Sequence, residues 1–538
     1  MTGKPASEPA RPRRGAGVEA AALASHLGAQ LPAPGPAVAP LASLRLTGVT
    51  LDSRGVEPGD LWCALPGANA HGADFAPQAA ERGAVLALTD AAGAAACERA
   101  GLPALVVDDP RRDTARAAAL VYGRPAEQLR TIGVTGTNGK TSVTTMVHRT
   151  LLELGRPSGV VGTSGTLYRD HAGIDHEVGT VRTTPEAPEL HGLLARMAED
   201  GVQVCGMEIS SHALVLHRAD EVVVDVACFT NLSQDHLDFH PTMEDYFEAK
   251  SRLFTPEHSR RGVVCVDDEW GRRLAREATV PVTTYATLPG IEADHVAVDI
   301  RPDDYGSVFT VVGPEGGTAS RGPTGKRRLR AALPGRHYVA NTLAASLLLE
   351  AIGVAGPEAD AALGTAGTVP GRMEPVVLAP VRGVVDYSHT PDALEKALTT
   401  LRSVPGTRRI LCVMGAGGDR DRAKRPVMGE VAARLADVVI ITDDNPRTED
   451  PATIREAVRA GIPAQTGTEV HVVDGRGAAI DLAASLADVG DTILVAGKGA
   501  ETGQDIGGRV HPFDDRLHLR DALAARPGSG DPQPDGGL

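Results

Sequence analysis

The stretch "TIGVTGTNGKTSVTTMVHRTLLEL", residues 131–154, decides the fold of the chain. Its first six residues are apolar or β-branched and predict a buried strand. Its last fourteen place apolar residues at helical spacing and predict a helix. A strand, a Gly-rich turn and a helix N-terminus together form an anion site, because backbone N–H groups converge there and the helix dipole favours negative charge.

The glycine spacing of this loop differs from the Walker A pattern G-x-x-x-x-G-K-[ST]. Val134 stands where the first glycine of that pattern should be, and an additional glycine, Gly136, lies inside the loop. The chemistry is intact, because Lys140 can reach the outer phosphates of a nucleotide and the Thr141 hydroxyl can bind Mg²⁺. We therefore expect a nucleoside triphosphate on residues 136–142, with a purely structural glycine turn as the alternative.

The composition restricts the class of protein. The chain has 538 residues, which predicts roughly three domains at about 150 residues each. Its formal net charge is -15, which argues against nucleic acid or an anionic membrane as the main partner. No apolar run approaches the ~18 residues that a membrane span needs, so no membrane insertion is expected.

The six cysteines form no C-x-x-C pair and lie mostly in apolar runs, which predicts small buried thiols in a reducing cytosol. Arg13 and Arg14 suggest an export signal, but Glu19 and His26 interrupt the apolar stretch that follows them. We therefore expect a cytoplasmic protein.

Apolar strands that alternate with helices predict the α/β class with parallel sheets, in three domains. The first is a small mixed α/β domain, the second a central P-loop parallel-sheet domain, and the third a C-terminal Rossmann-like α/β domain. The expected boundaries are 41–128, 129–371 and 372–525. Segments 1–40 and 526–538 are rich in Pro and Gly and are expected to be disordered.

Further polar residues follow predicted strands. "GMEISSHAL", residues 206–214, places Glu208 at a strand end, where a carboxylate can bind Mg²⁺ or simply face water. "FTNLSQDHLDFHPTMEDYFEAKSRLF", residues 229–254, ends another strand and carries His236 and, on the next helix, Lys250. Because ligands of parallel sheets gather at the carboxyl ends of strands, we expect these groups near the loop.

These motifs, in this order, resemble those of the Mur ligase family over about residues 45–515. Besides the loop, they include "MEISSHAL", "GRME", "DYSHTPDALEKAL", "GAGGDRDRAKRP", "TDDNPRTED" and "VAGKGAETGQ". The family's own loop, G-T-N-G-K-[TS], explains the displaced glycine. The closest branch adds 2,6-diaminopimelate to UDP-MurNAc-L-Ala-D-Glu in peptidoglycan precursor synthesis. The resemblance thus implies an ATP-dependent, ADP-forming amide ligase that works through an acyl phosphate.

The resemblance also implies roles for the residues of the ATP site. Lys140, His236 and Lys250 would be catalytic. Thr141 and Glu208 would hold one Mg²⁺, and Glu208, His236 and a carbamylated Lys250 a second. The residues implied in nucleotide binding are Gly136, Thr137, Asn138, Gly139, Lys140, Thr141, Ser142, Asn341, Arg372 and Asp386.

Two further groups are implied in substrate binding. The UDP-sugar dipeptide would contact Ser53, Asn69, Thr183, Thr184, Ser210 and Arg218. Diaminopimelate would contact Arg420, Asp444, Asn445, Pro446, Arg447, Gly497 and Glu501. Arg447, in "DDNPR", is the candidate partner of the second carboxylate of diaminopimelate, because a guanidinium pairs with a carboxylate in bidentate fashion.

The chain departs from the family pattern at Leu216, Tyr338 and Ala500, where relatives carry Gln, Asn and His. Three alternatives therefore stay open: a ligase that adds another amino acid such as lysine, a folylpolyglutamate synthetase-like ligase, and a nucleotide-binding homologue that has lost catalysis. The "DNPR" motif and the N-terminal domain favour the diaminopimelate ligase. We expect a monomer whose domains close over the substrates.

Overall fold

A computed structural model describes residues 11–13, 15, 17–32, 41–67, 70–163, 165–180, 182–236, 239–314, 325–366 and 368–526. The chain divides into two compact units. The first comprises Met1–Val298, Val311–Arg327 and Ala340–Ala366, and the second comprises Asp299–Thr310, Arg328–Val339 and Gly367–Leu538. Asn69, which the resemblance implies in substrate binding, lies outside the described residues.

The N-terminal part of the first unit contains a short ribbon and a four-stranded sheet. The ribbon pairs β1 (Val18–Glu19) with β2 (Arg45–Leu46). The sheet is parallel throughout, in the order β3 (Gly48–Thr50), β4 (Asp60–Cys63), β5 (Leu86–Thr89) and β6 (Ala104–Val106). Its helices are α1 (Ala20–Leu27), α2 (Ala76–Glu81), α3 (Ala91–Arg99) and α4 (Pro110–Val121).

Part of the segment 1–40, for which the sequence analysis predicts disorder, is helical. Helix α1 buries Ala20, Leu23, Ala24 and Leu27, which recur at helical spacing and pack in one core with β3, β4 and β5. The two polar residues that break the apolar run do not oppose the helix, because Glu19 precedes it and His26 falls in its last turn. An amphipathic helix needs an apolar face and not an unbroken apolar run.

The central sheet has eleven strands in the order β10-β9-β8-β11-β7-β12-β13-β14-β15-β16-β17. Strands β8 to β14 of that order run parallel, while β9 and β10 form an antiparallel extension. The strands are β7 (Arg130–Thr135), β8 (Ser158–Gly162), β9 (Gly165–Arg169), β10 (Asp175–Val178), β11 (Val204–Glu208), β12 (Val226–Phe229), β13 (Gly262–Cys265), β14 (Val282–Ala286), β15 (His295–Asp303), β16 (Gly306–Val312) and β17 (Lys326–Ala331).

The helices that follow along this part of the chain are α5 (Lys140–Glu153), α6 (Ala187–Glu199), α7 (Ser211–Val215), α8 (Met243–Ser251), α9 (Glu269–Glu277), α10 (Arg336–Ala351) and α11 (Pro357–Ala366). Strand β7 lies between β11 and β12, and five of its six residues are buried. The chain reaches β11 on one side of β7 and then β12 on the other, so the carboxyl end of β7 is a topological switch point, where ligands of parallel sheets bind.

The second unit contains a six-stranded sheet in the order β18 (Glu374–Val377), β19 (Arg382–Asp386), β23 (Thr492–Ala496), β20 (Ile410–Met414), β21 (Val438–Ile441) and β22 (Glu469–Val472). Only β18 is antiparallel to its neighbour. A hairpin pairs β24 (Gly503–Ile506) with β25 (Arg509–Pro512). The helices are α12 (Pro391–Ser403), α13 (Lys424–Leu435), α14 (Pro451–Arg459), α15 (Arg476–Leu486) and α16 (Asp515–Ala524).

The predicted α/β class with parallel sheets is confirmed, and the sheets of four, eleven and six strands fall one in each of the three expected domains. The residue boundaries of those domains stay predictions. All six cysteines are buried, as predicted, and burial raises the pKa of the Cys63 thiol to about 12. In the described part of the chain, every helix is too short or too polar to cross a membrane.

Candidate active site

The glycine-rich loop joins β7 to α5 and needs glycine at two positions. Gly136 has φ 142° and Gly139 has φ 91°, both in the region that residues with a side chain rarely adopt. A Cβ at Gly136 would also collide with Thr230 Oγ1. The extra glycine of the sequence pattern is therefore a requirement of the loop's path beside the segment that follows β12.

The loop is held by that segment through hydrogen bonds. Thr137 N donates to Asn231 O at 2.9 Å, and Asn138 N donates to Asn231 Oδ1 at 3.0 Å. Thr230 Oγ1 donates to Asn138 O at 2.6 Å. These bonds order the loop before any ligand binds, which lowers the entropy cost of phosphate binding.

Two lysine side chains converge on one carbonyl oxygen of the loop. Lys140 Nζ lies 2.9 Å and Lys250 Nζ 3.0 Å from Gly136 O. Lys250 is 1% exposed and its Nζ lies 4.5 Å from the centre of the Tyr246 ring. Burial, with the nearby charge of Lys140 added, lowers the pKa of Lys250 well below its usual value. Lys250 is thus a buried amine with an increased neutral fraction.

The carboxylate of Glu208 belongs to a network of hydroxyl groups. Glu208 Oε1 accepts from Thr163 N at 3.0 Å, and Oε2 accepts from Thr163 Oγ1 at 3.2 Å. Thr163 Oγ1 lies 3.1 Å from Thr183 Oγ1, and Thr184 Oγ1 donates to Glu208 O at 2.8 Å. Ser210 N donates in turn to Thr184 Oγ1 at 3.1 Å. The structure therefore brings together three predicted substrate residues and one predicted metal ligand.

The predicted metal ligands offer mainly oxygen atoms, which suit Mg²⁺. Thr141 lies in the first turn of α5, and Glu208 ends the neighbouring strand β11. Each carboxylate oxygen of Glu208 keeps acceptor capacity beyond its bond to Thr163. His236 has φ 53°, and its ring centre lies 5.0 Å from that of His212. The described residues hold no group of three or more His, Cys, Asp or Glu side chains that could bind a metal.

A cavity of about 950 Å³ opens in the first unit next to the four-stranded sheet. Ser53 lines it, and Ser53 Oγ donates to Gln78 Oε1 at 2.6 Å. Arg111, Arg182 and Glu186 line it as well, and Glu186 Oε1 also lies 3.0 Å from Arg218 Nε. Arginine side chains of this kind bind the phosphate and carboxylate groups of anionic substrates.

The remaining predicted nucleotide residues lie in both units. In the first unit, a Cβ at Gly139 would lie 2.6 Å from Asn341 Oδ1, so Asn341 is adjacent to the loop. In the second unit, the Arg372 guanidinium lies 4.5 Å from the centre of the Tyr387 ring. Asp386 accepts from Met373 N at 2.7 Å. Asp386 thus already orders the turn that carries Arg372.

In the second unit, the predicted amino-acid residues gather at the carboxyl ends of β20, β21 and β23. Arg447 has φ 53°, and its Nη1 donates to Gly418 O at 2.7 Å. A Cβ at Gly417 would lie 3.0 Å from Arg447 Nη1 and 3.9 Å from Arg420 Cγ. The two arginines therefore flank one loop, and Arg447 keeps further donors for a ligand.

A buried lysine that the sequence analysis did not single out organises the other side of this site. Lys498 Nζ donates to Asn445 Oδ1 at 3.0 Å and to Glu501 Oε2 at 2.9 Å. Asn445 Nδ2 also donates to Glu501 Oε2, at 2.9 Å. Asp444 lies beside Gly497, and burial raises the pKa of its carboxyl group. Glu501 is thereby oriented while its other carboxylate oxygen stays available.

Arg476 stabilises the loops that follow β21 and β23. Its Nη1 donates to Asp443 O at 3.2 Å and its Nη2 to Ala496 O at 2.9 Å, the carbonyls beside two of the predicted site segments. It is fully buried and paired with the fully buried Asp515 at 2.7 Å. Sequence reasoning missed Arg476 because an arginine at the start of a helix is usually solvated.

We expect Asp515→Asn to lower the free energy of unfolding of the second unit by about 3–5 kcal/mol, because it leaves the Arg476 charge buried and unpaired. Urea denaturation followed by far-UV circular dichroism measures the change. The matched control is Asp481→Asn, whose carboxylate lies 3.2 Å from His518 and is 61% exposed. That change should cost less than about 1 kcal/mol. Equal costs for the two variants would contradict the supporting role of Arg476.

Comparison with known proteins gives matches along most of the chain. Residues 45–132 match the family model "Mur ligase family, catalytic domain", residues 134–349 match "Mur ligase middle domain", and residues 371–499 match "Mur ligase, glutamate ligase domain". Together these matches extend over the sheets of four, eleven and six strands.

Several similar whole proteins carry the same name. A UDP-N-acetylmuramoyl-L-alanyl-D-glutamate–2,6-diaminopimelate ligase of Streptomyces coelicolor is 48% identical over 96% of this chain and 98% of its own length. The ligase of that name from Corynebacterium glutamicum is 44% identical over 89% of this chain and 92% of its own length. A solved structure titled with the same name aligns with a TM-score of 0.63 and 31% identity, over 92% of this chain and 98% of that one.

Proposed function

Because the chain belongs to the Mur ligase family, we propose that it is an ATP-dependent ligase that adds 2,6-diaminopimelate to UDP-MurNAc-L-Ala-D-Glu in peptidoglycan precursor synthesis. The observation that carries the proposal is the arrangement at the carboxyl end of β7. There a glycine-rich loop, Lys140, Lys250 and the Glu208 network surround one strand end. Such an arrangement favours phosphoryl transfer from a nucleotide.

The proposed reaction has two steps. An oxygen of the terminal carboxylate of the dipeptide attacks the γ-phosphorus of ATP, the bond to the β,γ-bridging oxygen breaks, and ADP leaves. The amine of diaminopimelate then attacks the carbon of the acyl phosphate, loses a proton, and expels inorganic phosphate as the amide forms. The first step brings a carboxylate and a polyphosphate together, and the second develops negative charge on the tetrahedral intermediate and the departing phosphate, so cationic groups must stabilise both. Lys140 is placed to contact the transferred phosphoryl group.

We propose that Mg²⁺ is held by Thr141 and Glu208, and a second ion by Glu208, His236 and Lys250 in carbamylated form. When bound, the ions would screen the charge of the phosphates and the substrate carboxylate. An ammonium group cannot bind a metal, whereas a carbamate supplies an anionic oxygen. Carbamylation joins the neutral amine nitrogen to CO₂ with loss of a proton. The lowered pKa of Lys250, caused by its burial, supports this step.

We propose that the UDP-sugar dipeptide occupies the cavity beside Ser53 and reaches the hydroxyl network of Thr183, Thr184 and Ser210. Arg218 would contact an anionic group of this substrate. Its 3.0 Å contact with Glu186, which lines the cavity, supports a position beside the substrate. The carboxylate to be activated would then approach Glu208, which shares that hydroxyl network. Asn69 stays a predicted contact.

For diaminopimelate, we propose that Arg447 pairs with the distal carboxylate and that Arg420 adds positive charge. Glu501 would bind the distal amino group, held in place by Lys498 and Asn445. The backbone of Asp444, Pro446 and Gly497 would line the same pocket. Lysine lacks the second carboxylate and would leave Arg447 without its partner. The affinity for lysine should therefore be lower than that for diaminopimelate.

Phosphate release with ATP, Mg²⁺, UDP-MurNAc-L-Ala-D-Glu and a panel of amino acids tests this function. We expect release to require all components and to be fastest with diaminopimelate. Faster release with lysine would favour the second candidate, a lysine-adding ligase, and release with no amino acid of the panel would contradict the proposal. The panel should contain both meso- and LL-diaminopimelate.

We expect Arg447→Lys to lower kcat/KM for diaminopimelate by roughly 10- to 150-fold, the loss of one charge-assisted bidentate pair at about 1.5–3 kcal/mol. The rate with lysine should change little, because lysine has no carboxylate at that position. Steady-state kinetics with both amino acids measures the difference. The matched control is Arg434→Lys, at an exposed arginine paired with Glu395. An equal loss with diaminopimelate and lysine would contradict the role of Arg447.

We further propose that the protein acts as a monomer in the cytoplasm, where ATP and UDP-linked precursors are available. Sedimentation at micromolar concentration tests the oligomeric state, and a dimer would contradict this part of the proposal.

A further inference from the structure

A second cavity in the first unit, of about 1670 Å³, lies at the opposite edge of the central sheet from the glycine-rich loop. It is lined by the residues at which β7 and its neighbours begin, among them Arg130, Gln203, Asp225, Arg261 and Pro281. The six residues of β7 separate it from the loop, which is roughly 20 Å at about 3.3 Å per residue. The cavity is therefore distinct from the candidate active site.

Positive charge is concentrated in this cavity although the chain as a whole is acidic. Seven arginines and two histidines line it against five carboxylates. The arginines are Arg112, Arg116, Arg124, Arg130, Arg252, Arg260 and Arg261, and the histidines are His217 and His258. No Phe, Tyr or Trp side chain lines the cavity among the described residues.

Four of the arginines are neutralised by carboxylates. Arg124 lies 3.4 Å from Glu221, and Arg116 lies 2.8 Å from Asp113. Arg130 and Arg260 share Asp225, at 3.3 and 3.7 Å. The three others, Arg112, Arg252 and Arg261, form no ion pair with any residue that the structure describes, and their side chains are exposed.

Several basic groups at one end of the cavity lie around the carboxylate of Asp220. His217 Nδ1 lies 2.7 Å from Asp220 Oδ2. Burial by itself raises the pKa of Asp220, but the bond from His217 and the charges of His258 and Arg112 outweigh burial and lower it. The bond to Asp220 raises the pKa of His217, burial lowers the pKa of His258, and the charge of Arg252 opposes protonation of both. Asp109 also acts on His217 and Glu257 on His258, but none of these carboxylates forms an ion pair with Arg112 or Arg252 among the described residues.

Two buried polar atoms of the same wall lack partners. Ser259 is 1% exposed, and neither Ser259 Oγ nor His258 Nδ1 has a hydrogen-bond partner among the described residues. Buried polar groups normally have partners, because leaving one unsatisfied costs free energy. Both residues belong to the lining of the cavity.

We propose that this cavity, defined by Arg112, Arg252 and Arg261, binds a small soluble anion with two or more phosphate groups. A guanidinium fork matches phosphate geometry and binds it bidentately, and the three unpaired positive charges exceed the charge of about -1.5 to -2 that one phosphate group carries. The described lining has no Phe, Tyr or Trp, and so lacks the large stacking surface that single-stranded nucleic acid uses. The five carboxylates oppose a long polyanion, so a compact ligand is favoured over a nucleic acid or a membrane surface.

Isothermal titration calorimetry with inorganic tripolyphosphate tests the site. The full chain is kept saturated with ADP so that the glycine-rich loop does not contribute, and free Mg²⁺ is left out because tripolyphosphate would chelate it. We expect binding to the unmodified chain, and an increase in Kd of at least about tenfold in the double variant Arg112→Ala/Arg252→Ala, since each charge-assisted contact contributes more than about 1 kcal/mol. Ligase activity without tripolyphosphate should be unchanged in this variant, because neither arginine belongs to the candidate active site.

The matched control is Arg82→Ala/Arg99→Ala, which removes the same charge from two exposed arginines outside the cavity. We expect its Kd to change less than about twofold. If the alanine pair fails to fold by circular dichroism, Arg112→Gln/Arg252→Gln keeps the side-chain stems and gives the same comparison. No heat beyond that of sodium chloride at matched ionic strength, equal weakening in the cavity and control variants, or binding of RNA or anionic vesicles without tripolyphosphate binding would overturn the proposal.

Discussion

Lys140→Ala is expected to lower kcat for ATP-dependent ligation by roughly 100- to 1000-fold, the usual effect of removing one group that stabilises transition-state charge. Lys140 begins α5 directly after the glycine-rich loop, where its ammonium group can meet the outer phosphates of ATP. The alanine variant keeps the loop glycines and the bonds from Asn231, so the nucleotide should still bind. The loss should therefore appear mainly in kcat, and less in the KM for ATP.

The control for this prediction is Lys396→Ala, which removes an exposed lysine paired with Asp392 at 2.7 Å. Its activity should equal that of the unmodified chain. Lys140→Arg keeps the charge but not the compact ammonium group, and we expect it to recover only part of the lost rate. Full activity of Lys140→Ala, with the fold verified by circular dichroism, would exclude the loop from phosphoryl transfer.

Lys250→Ala is expected to lower kcat by a similar factor, roughly 100-fold or more, because it removes the anionic ligand that a carbamate would supply. Acetate at tens of millimolar should restore part of the rate by placing a carboxylate in the space that the side chain leaves. A readout that does not depend on activity is the ¹³C spectrum of the chain in ¹³C-bicarbonate. The unmodified chain should give a carbamate signal, and the alanine variant should not.

Lys250→Met separates packing from chemistry in this prediction. The methionine fills the buried space between Gly136 and Tyr246 without an amine, so it should be more stable than the alanine variant and equally inactive. Acetate should not rescue it, because the space is filled. Activity of Lys250→Ala near that of the unmodified chain, together with no carbamate signal, would contradict the role of Lys250.

The sequence predicts the loop and its surroundings well because strand ends of parallel sheets meet at one edge. Gly136, Glu208 and Lys250 are far apart in sequence, yet the order of strands β11, β7 and β12 places them around one point. A buried strand followed by glycines and a helix is a local pattern, and local patterns need no knowledge of tertiary contacts. For that reason the strand, the glycine-rich loop and the helix could be predicted from the sequence alone.

The supporting residues could not be predicted, because their roles depend on tertiary burial. Lys498 and Arg476 resemble solvated charges in sequence, but the structure buries both beneath the loops that carry Asn445 and Glu501. Thr163 has no motif of its own and becomes informative only through its two bonds to Glu208. The helix of residues 20–27 could not be predicted either, because its short apolar face lies within a Pro- and Gly-rich segment.

The most direct test of the central claim follows one oxygen atom. The terminal carboxylate of UDP-MurNAc-L-Ala-D-Glu is labelled with ¹⁸O, the ligation is run to completion with ATP and diaminopimelate, and the released phosphate is analysed by mass spectrometry. If the carboxylate attacks the γ-phosphorus, one labelled oxygen leaves with each phosphate, and we predict phosphate with a single ¹⁸O. Released phosphate without ¹⁸O, at full conversion to the tripeptide, would contradict an acyl phosphate at the Lys140 loop.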